Sequence, residues 1–189
     1  MLVKHQLPAI LESRVVARSR LFEIDSRLVQ FSNGVERRLE RIKGRLGPTV
    51  LIVPLLERET LVLVREYRAG THTYELGFPT GTVGREEAIE EAASRELKEE
   101  VGFGAKQISR IKKLSVLPGH LDHETYIVLA EQLFPARMRG DEPEEVTIVR
   151  WPVADIWALL QGGEFIEARS VAALLLVDRL LRDRAADDR

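Results

Sequence analysis

The 189-residue sequence contains no cysteine. That excludes disulfides, thiolate catalysis and zinc ribbons, and it fits a reducing cytoplasm. No apolar run approaches the roughly 20 residues that a membrane-spanning helix needs, and the segment MLVKHQLPAILESR at the start has no uninterrupted apolar core of signal-peptide length. The expectation is a cytoplasmic protein without a membrane partner. Basic charge is not in surplus: 28 Lys and Arg stand against 30 Asp and Glu, a net charge of −2. A broad surface for nucleic-acid phosphates is therefore not expected, and any nucleotide contact should be local. Linker composition and internal repeats are also missing. With 44% hydrophobic and 31% charged residues, the chain reads as a soluble globular protein of one main domain with some elaboration.

What is present is concentrated in GTVGREEAIEEAASRELKEEVGF, Gly81 to Phe103. Gly81 and Gly84 make a turn, Glu86 and Glu87 bring acid to a helix N-terminus, and Ala88 to Val101 holds strong helix formers without Gly or Pro. The pattern predicts a helix over about Glu86 to Val101, closed by Gly102. Ile89, Ala93, Leu97 and Val101 form an apolar stripe at helical spacing, and Glu96, Glu99 and Glu100 share another face at i+3 and i+4. Three like charges repel by a few tenths of a kcal/mol per pair on an exposed helix. Arg95, four residues from both Glu91 and Glu99, offsets only part of that. Oxygen donors without a thiolate point to a hard divalent cation, Mg²⁺ or Mn²⁺, able to bridge a rigid helix to substrate phosphates. An ordinary solvated acidic helix is the plain alternative.

The fixed positions decide between these. Gly81, Glu87, Arg95, Glu96, Leu97, Glu99, Glu100, Gly102 and Phe103 match, at every specified position, the signature of the Nudix hydrolases, and the chain resembles that family.

Elsewhere, alternation over Ser13 to Asp25 and Arg27 to Phe31, the dipeptide Asn33-Gly34, and Val35 to Ile42 read as short antiparallel strands around a type I′ turn. Residues 1–46 are expected to form an N-terminal β subdomain serving dimerisation, and 47–189 the Nudix domain. Gly44, Gly47 and Pro48 punctuate the junction. Strands are expected at Val50 to Leu56, Thr60 to Arg65, Thr73 to Phe78, Ile108 to Val116, Glu124 to Ala130 and Val146 to Trp151. Two helices should close the chain, one beginning near Pro152 and one over about Ala168 to Asp183, with fraying over Arg182 to Arg189. Periodicity says only mixed α and β; the Nudix resemblance implies an α/β/α sandwich with a mixed sheet.

The resemblance reaches further than the helix. Val16-Ala17-Arg18-Ser19-Arg20-Leu21-Phe22, Phe31 to Val35, Arg65-Glu66-Tyr67, Tyr74 to Phe78, Gly140 to Glu144, Arg150-Trp151-Pro152 and Glu167-Ala168-Arg169 look like the ADP compounds hydrolases of NudE type, which are similar to the ADP-ribose pyrophosphatases. Glu75-Leu76-Gly77-Phe78-Pro79-Thr80-Gly81 is two residues longer than the usual Glu-Leu-Pro-Ala-Gly, a length shared with the NudE type. Pro118, fifteen residues after Phe103, and Gly119 are closer to the ADP-ribose enzymes.

That resemblance implies hydrolysis of ADP-ribose and other ADP-X compounds, including diadenosine polyphosphates and NADH, to AMP and a phosphorylated product. It also implies Glu96 and Glu100 as metal ligands, Glu99 completing or supporting the cluster, the Thr80 carbonyl as a further ligand, and Arg95 orienting the carboxylates. For the general base it implies a Glu of the loop Gly140 to Glu145: Glu144 is favoured, then Glu142, with Glu145 as a third candidate. Arg65, Tyr67, Arg68, Glu75 and Pro118 are candidates for holding the diphosphate and adenosine, since Arg binds phosphate oxygens bidentately and Tyr stacks on a base. Each is equally readable as a solvated surface residue. His120 and His123 fit a polar loop better than a metal site, and Trp151 and Trp157 fit the core. Two other readings stay open: a Nudix enzyme for another nucleoside diphosphate derivative, and a non-catalytic nucleotide-sensing module. A homodimer is expected because strands over Val15 to Ile42 without a covering layer leave an edge or apolar face for pairing, as related ADP-ribose enzymes do.

Overall fold

The computed structural model describes residues 6–44, 47–140 and 143–187. Three strands come first: β1 Ala9–Arg18, β2 Phe22–Gln30 and β3 Glu36–Gly44. Then follow β4 Thr49–Leu56, β5 Thr60–Arg68, β6 Thr73–Gly77, β7 Thr80–Thr82 and the helix α1 Ile89–Glu100. The chain continues through β8 Phe103–Ser115, β9 Leu121–Asp122, β10 Glu124–Pro135 and β11 Thr147–Pro152 to α2 Ile156–Gln161 and α3 Ala168–Asp187.

Contacts divide the chain into two compact units. Residues 1–47 with 115–124 form one, and 48–114 with 125–189 the other. In the first, four strands run in the order β1-β2-β3-β9. The run Ser13 to Asp25, expected as one alternating stretch, is interrupted at residues 19–21, where the Ser19 amide bonds the Phe22 carbonyl and the chain turns from β1 into β2. At the next turn the Gly34 amide bonds the Phe31 carbonyl, and of the two turn residues only Gly34 has positive φ. A type I′ turn needs both there, so Asn33-Gly34 ends a type I turn with a left-handed glycine instead. Inside the sheet, Arg41 forks across Asp25 and reaches Asp122, locking β3 to its neighbours on either side. The bonds and charge of Arg41, with the charge of Arg27, outweigh burial and hold the Asp25 carboxyl below its ordinary range.

The second unit carries a seven-stranded sheet of order β11-β5-β4-β10-β8, with β6 on β5 and β7 on β4. It is mixed: β10 runs parallel to β4, and β5 antiparallel to β4, β6 and β11. Both faces are buried because successive side chains of each strand alternate between two apolar clusters. Leu51, Val53, Leu55, Leu61, Leu63, Ile127 and Leu129 pack with Ile156 and Leu159 of α2 and Ala173, Leu174 and Val177 of α3. Val50, Ile52, Val62, Val64, Val128 and Ala130 pack with Ile89, Ala92, Ala93 and Leu97 of α1. This is the α/β/α sandwich, and the expected stripe Ile89, Ala93, Leu97 and Val101 is buried.

Other expectations are corrected. Pro152 ends β11 in extended conformation, and a 3₁₀ turn, Val153–Asp155, separates it from α2. Trp157 is 59% exposed, because short α2 turns Ile156 and Leu159 inward and leaves the residue about 100° away facing out. Trp151 is half-buried against the core and donates its indole N–H to the Asp155 carbonyl. The C-terminal helix continues to Asp187 instead of fraying from Arg182. There Arg182 bonds Asp178, and Arg184 bonds both oxygens of buried Glu131.

Glu167 starts α3. Its carboxylate accepts the amides of Arg169 and Ser170 and the Arg169 guanidinium, satisfying donors that a helix N-terminus leaves open. Burial pushes this carboxyl up, but the bond and charge of Arg169 with the two amides outweigh it and hold it below the ordinary value of 4.5. A depressed folded pKa means the stabilisation is present above that ordinary value and is lost as pH falls through the folded one. Glu167→Ala should cost about 1–2 kcal/mol at pH 7, as a lost cap does. Urea denaturation of both proteins should show that difference shrinking at pH values below the carboxylate range.

Candidate active site

The acidic helix is anchored at both ends by local bonds. Glu91 reaches back to the Ala88 amide and closes the first turn of α1. At the other end Gly102 takes a φ of 73°, which a side-chain-bearing residue adopts at a cost, and the helix stops. The helix proper spans Ile89–Glu100, three residues shorter at its start than expected, since 85–86 form a turn and Ala88 is an extended cap.

Arg95 is the hub of this segment. Its Nε and Nη2 bond the two carboxylate oxygens of Glu87 at 2.9 and 3.1 Å, Nη1 bonds Glu96 at 2.7 Å and Glu99 at 3.1 Å, and Nη2 also bonds the Thr82 carbonyl at 3.0 Å. The expected partner Glu91 is engaged at the cap, and Glu87 and Glu96 take its place. Bonds from Arg95 outweigh burial and, with the Gly84 amide and the charge of Arg95, hold the Glu87 carboxyl below its ordinary range. The bond from Glu87, with those and the charge from Glu96, raises the Arg95 pKa despite burial, so the guanidinium stays charged.

Glu96 and Glu100 are only 8% and 7% exposed, one helical turn apart at the margin of the apolar stripe. Gly81 of β7 explains how Glu96 fits: a Cβ there would lie 1.8 Å from the Glu96 carboxyl carbon. The β7 backbone at Gly81 therefore lies against that carboxylate, with Thr80 next to it in register with Leu51 of β4. Among the described residues no three acidic or histidine side chains stand as a ready-made metal cage. Arg95 bridges Glu96 and Glu99 instead. The donor set is nevertheless all oxygen, and the glycine clearance keeps a buried carboxylate at the strand, which suits a hard divalent cation held by Glu96, Glu99 and Glu100.

One cleft adjoins this helix and a second shares a wall with it. The first, of about 550 Å³, is lined by Glu99 and Glu100 of α1, by Arg137 and Arg139, and by Glu144 and Glu145. The second, of about 150 Å³, is lined by Arg65, Tyr67 and Tyr74 and again by Pro143 to Val146. The segment 143–146 is thus a wall common to both. Glu144 accepts the Tyr74 hydroxyl at 2.5 Å, and Glu145 pairs with Arg137 at 2.9 Å. Glu142 lies outside the described residues.

Of the expected substrate residues, Arg65 and Tyr67 face the smaller cleft, with Arg65 tied to Glu164 and the Tyr67 hydroxyl to His72. Arg68 pairs with Glu66. Glu75 points inward, 7% exposed, and accepts the hydroxyls of Thr71 and Thr73. Pro118 is an exposed residue of the N-terminal unit, which also contains His120 and His123. Sequence reasoning missed Tyr74, Arg137 and Arg139. The first alternates with Glu75 along β6, a signal that was available; the two arginines follow β10 in irregular chain, where spacing carries no information.

Comparison with known proteins matches these features end to end. The NUDIX domain family matches residues 45–174, and the NudE-type Nudix hydrolase N-terminal domain matches residues 8–41. The chain is 48% identical to the ADP compounds hydrolase NudE of Escherichia coli (strain K12), over 94% of this chain and 95% of that one. It is 27% identical to the ADP-ribose pyrophosphatase of Bacillus subtilis (strain 168), over 87% and 91%. A crystal structure of an ADP compounds hydrolase superposes with a TM-score of 0.89 at 46% identity, covering 96% of this chain and 98% of that one.

Gly81→Ala should displace the flexible end of Glu96, because the clash involves side-chain atoms alone. Titration calorimetry with Mg²⁺ is expected to show weaker binding, while the unfolding free energy changes by less than about 1.5 kcal/mol.

Proposed function

The chain belongs to the Nudix hydrolase family, in its NudE-type branch, and we propose that it is a cytoplasmic, Mg²⁺-dependent pyrophosphatase of ADP-ribose and other ADP-X compounds. Diadenosine polyphosphates and NADH belong to that class, and AMP and a phosphorylated fragment are the products. The observation that carries the reading is the pair of clefts sharing the wall 143–146. One offers helix carboxylates and arginines for a metal-bound diphosphate, the other aromatic rings for a base. The close NudE relative supports the same substrate class. A cytoplasmic setting accords with the nucleotide chemistry of these substrates.

Nudix hydrolases generally use a divalent metal. When bound, such ions neutralise diphosphate charge and favour attack by water at phosphorus. In the mechanism proposed, Glu96 and Glu100 hold the cation, with Glu99 and the Thr80 carbonyl supporting, and Mn²⁺ can substitute. Arg95 keeps Glu96 and Glu99 oriented. Glu144 would accept a proton from water as the water oxygen bonds to one phosphorus of the diphosphate. The bridging P–O bond to that phosphorus breaks, the bridging oxygen stays with the other phosphate, and AMP and the phosphorylated fragment separate. Arg65 takes phosphate oxygens, and Tyr67 stacks on the base.

Glu96→Gln and Glu100→Gln should each lower AMP release from ADP-ribose by at least about 10²-fold. The swaps keep side-chain volume, so melting curves should barely move; full activity in both would remove the helix from the mechanism. Glu144→Gln should reduce kcat by about 10²- to 10⁴-fold with KM little changed.

The N-terminal sheet supports a homodimer. Every residue of β1 is exposed, and Ile10, Leu11, Val15, Val16 and Leu39 are among the exposed large apolar side chains. An uncovered strand of this kind is a template for pairing with a second copy. Light scattering at micromolar concentration should give twice the 21.4 kDa chain mass. Removal of residues 1–46 should give a monomer or an aggregate with weakened ADP-ribose binding.

A further inference from the structure

Tyr74 lines the smaller cleft and bonds Glu144 of the wall that the two clefts share. Sheet register puts it there: Tyr74 of β6 lies directly opposite Tyr67 of β5, and on the other side of β5 the first residue of β11, Thr147, lies opposite Arg65. Strand β5 therefore runs on past the start of β11, and the chain entering β11 through 143–146 passes beside the two tyrosines. The rings of Tyr67 and Tyr74 meet edge-on at 5.9 Å, and Tyr67 is held in turn by His72. The side chain is 53% exposed, yet its hydroxyl donates to Oε1 of Glu144 at 2.5 Å.

We propose that Tyr74 is a positioning residue for Glu144, tying the carboxylate of the acidic loop to the aromatic wall against which a nucleotide base would rest. The inference builds on the reading of Glu144 as the proton acceptor. A glutamate on an open loop has three freely rotating bonds, and holding it in one arrangement has an entropy cost that a charge-assisted bond offsets. With Oε1 engaged by the phenol, Oε2 would be the oxygen that accepts a proton. The logic is that of a catalytic side chain oriented by a second group. The phenol is suited to the task. Its bond to Glu144, slight burial and the neighbouring charge all raise its pKa, so it keeps the proton it donates. Because the same ring lines the smaller cleft, an aromatic base bound there touches the group that orients the carboxylate. Recognition of the base and placement of the proton acceptor then share one side chain.

The test is a cycle of full-length variants assayed with Mg²⁺ and ADP-ribose: Tyr74→Phe, Glu144→Gln and the two combined. Phenylalanine keeps the ring, so KM should stay within about 3-fold, whereas kcat should fall by about 5- to 20-fold as the carboxylate loses its restraint. In the Glu144→Gln background the same change should alter kcat by less than about 2-fold, since no proton acceptor is left to orient. Equal losses in both backgrounds would overturn the proposal by showing that Tyr74 acts independently of Glu144. Unchanged kcat in Tyr74→Phe, or a rise in KM alone, would overturn it too and leave Glu144 as the base. Full turnover in Glu144→Gln by itself would instead overturn the assignment of the base, and the positioning role with it.

Discussion

The Arg95 guanidinium is the contact on which the acidic helix depends. Glu87, Glu96 and Glu99 all bond to it, and a fourth acceptor, the Thr82 carbonyl, joins the strand-to-helix turn to the helix. A planar cation with five donors in a fixed fork can bridge several acceptors at once, which a lysine ammonium on its flexible stem does less well. Carboxylates placed this closely repel one another, and the permanent positive charge between them makes the arrangement stable before any metal arrives. The hub also explains why a residue outside the helix, Glu87, belongs to the constellation. It accepts the Gly84 amide as well as Arg95, so the turn leading into α1 is fixed by the same cation that orders the carboxylates.

Rigidity beneath that hub comes from the sheet. Strands β4, β5 and β10 are buried on both faces, and α1 is pressed on one of them through Ile89, Ala92, Ala93 and Leu97. Glu96 and Glu100 lie at the boundary of that contact, close enough to the core to be largely buried. Desolvation strengthens the electrostatic interactions of such carboxylates, and would favour their pairing with a cation. The clearance at Gly81 belongs to the same design: strand β7 can lie on the helix only because the residue above Glu96 has no side chain. Position and electrostatics are therefore consequences of packing.

Much of this was legible in the sequence because helices and strands write their periods into it. The stripe of α1, its glycine stop and six of the seven main-sheet strands were placed, although β8 starts and β10 ends five residues beyond the expected bounds and the short β7 was not read; fixed spacing singled out the carboxylates. What escaped detection was long-range pairing. Arg95 was expected to use its i±4 neighbours, yet Glu91 was captured by the cap at Ala88, and Glu87, eight residues back, curled over to replace it. Trp157 was assigned to the core on hydrophobicity, although a six-residue helix buries only one face. The C-terminal tail looked polar and loose; its order comes from Arg184 meeting Glu131 fifty-three residues away. Of these partners only Glu131 depends on which elements the fold sets side by side; the Glu91 cap and the Glu87 bond depend on how the turn before α1 folds back on the helix.

The two halves of the proposed chemistry are held in different ways. Glu96 and Glu100 sit on a helix buried against the sheet, where small shifts would be costly. Glu144 and Glu145 sit in the exposed segment 143–145, held by side-chain contacts to Tyr74 and Arg137. Carboxylates on a packed helix have little freedom to move, whereas a base on a tethered loop can adjust to the length of the group beyond the diphosphate. The larger cleft is open and mixed in charge, with Arg137 and Arg139 facing four acidic side chains, and it imposes little shape on what lies there. Selectivity in such a site falls to the smaller cleft and its aromatic rings, which is what a hydrolase acting on many ADP derivatives requires: one end of the substrate recognised closely, the other admitted loosely.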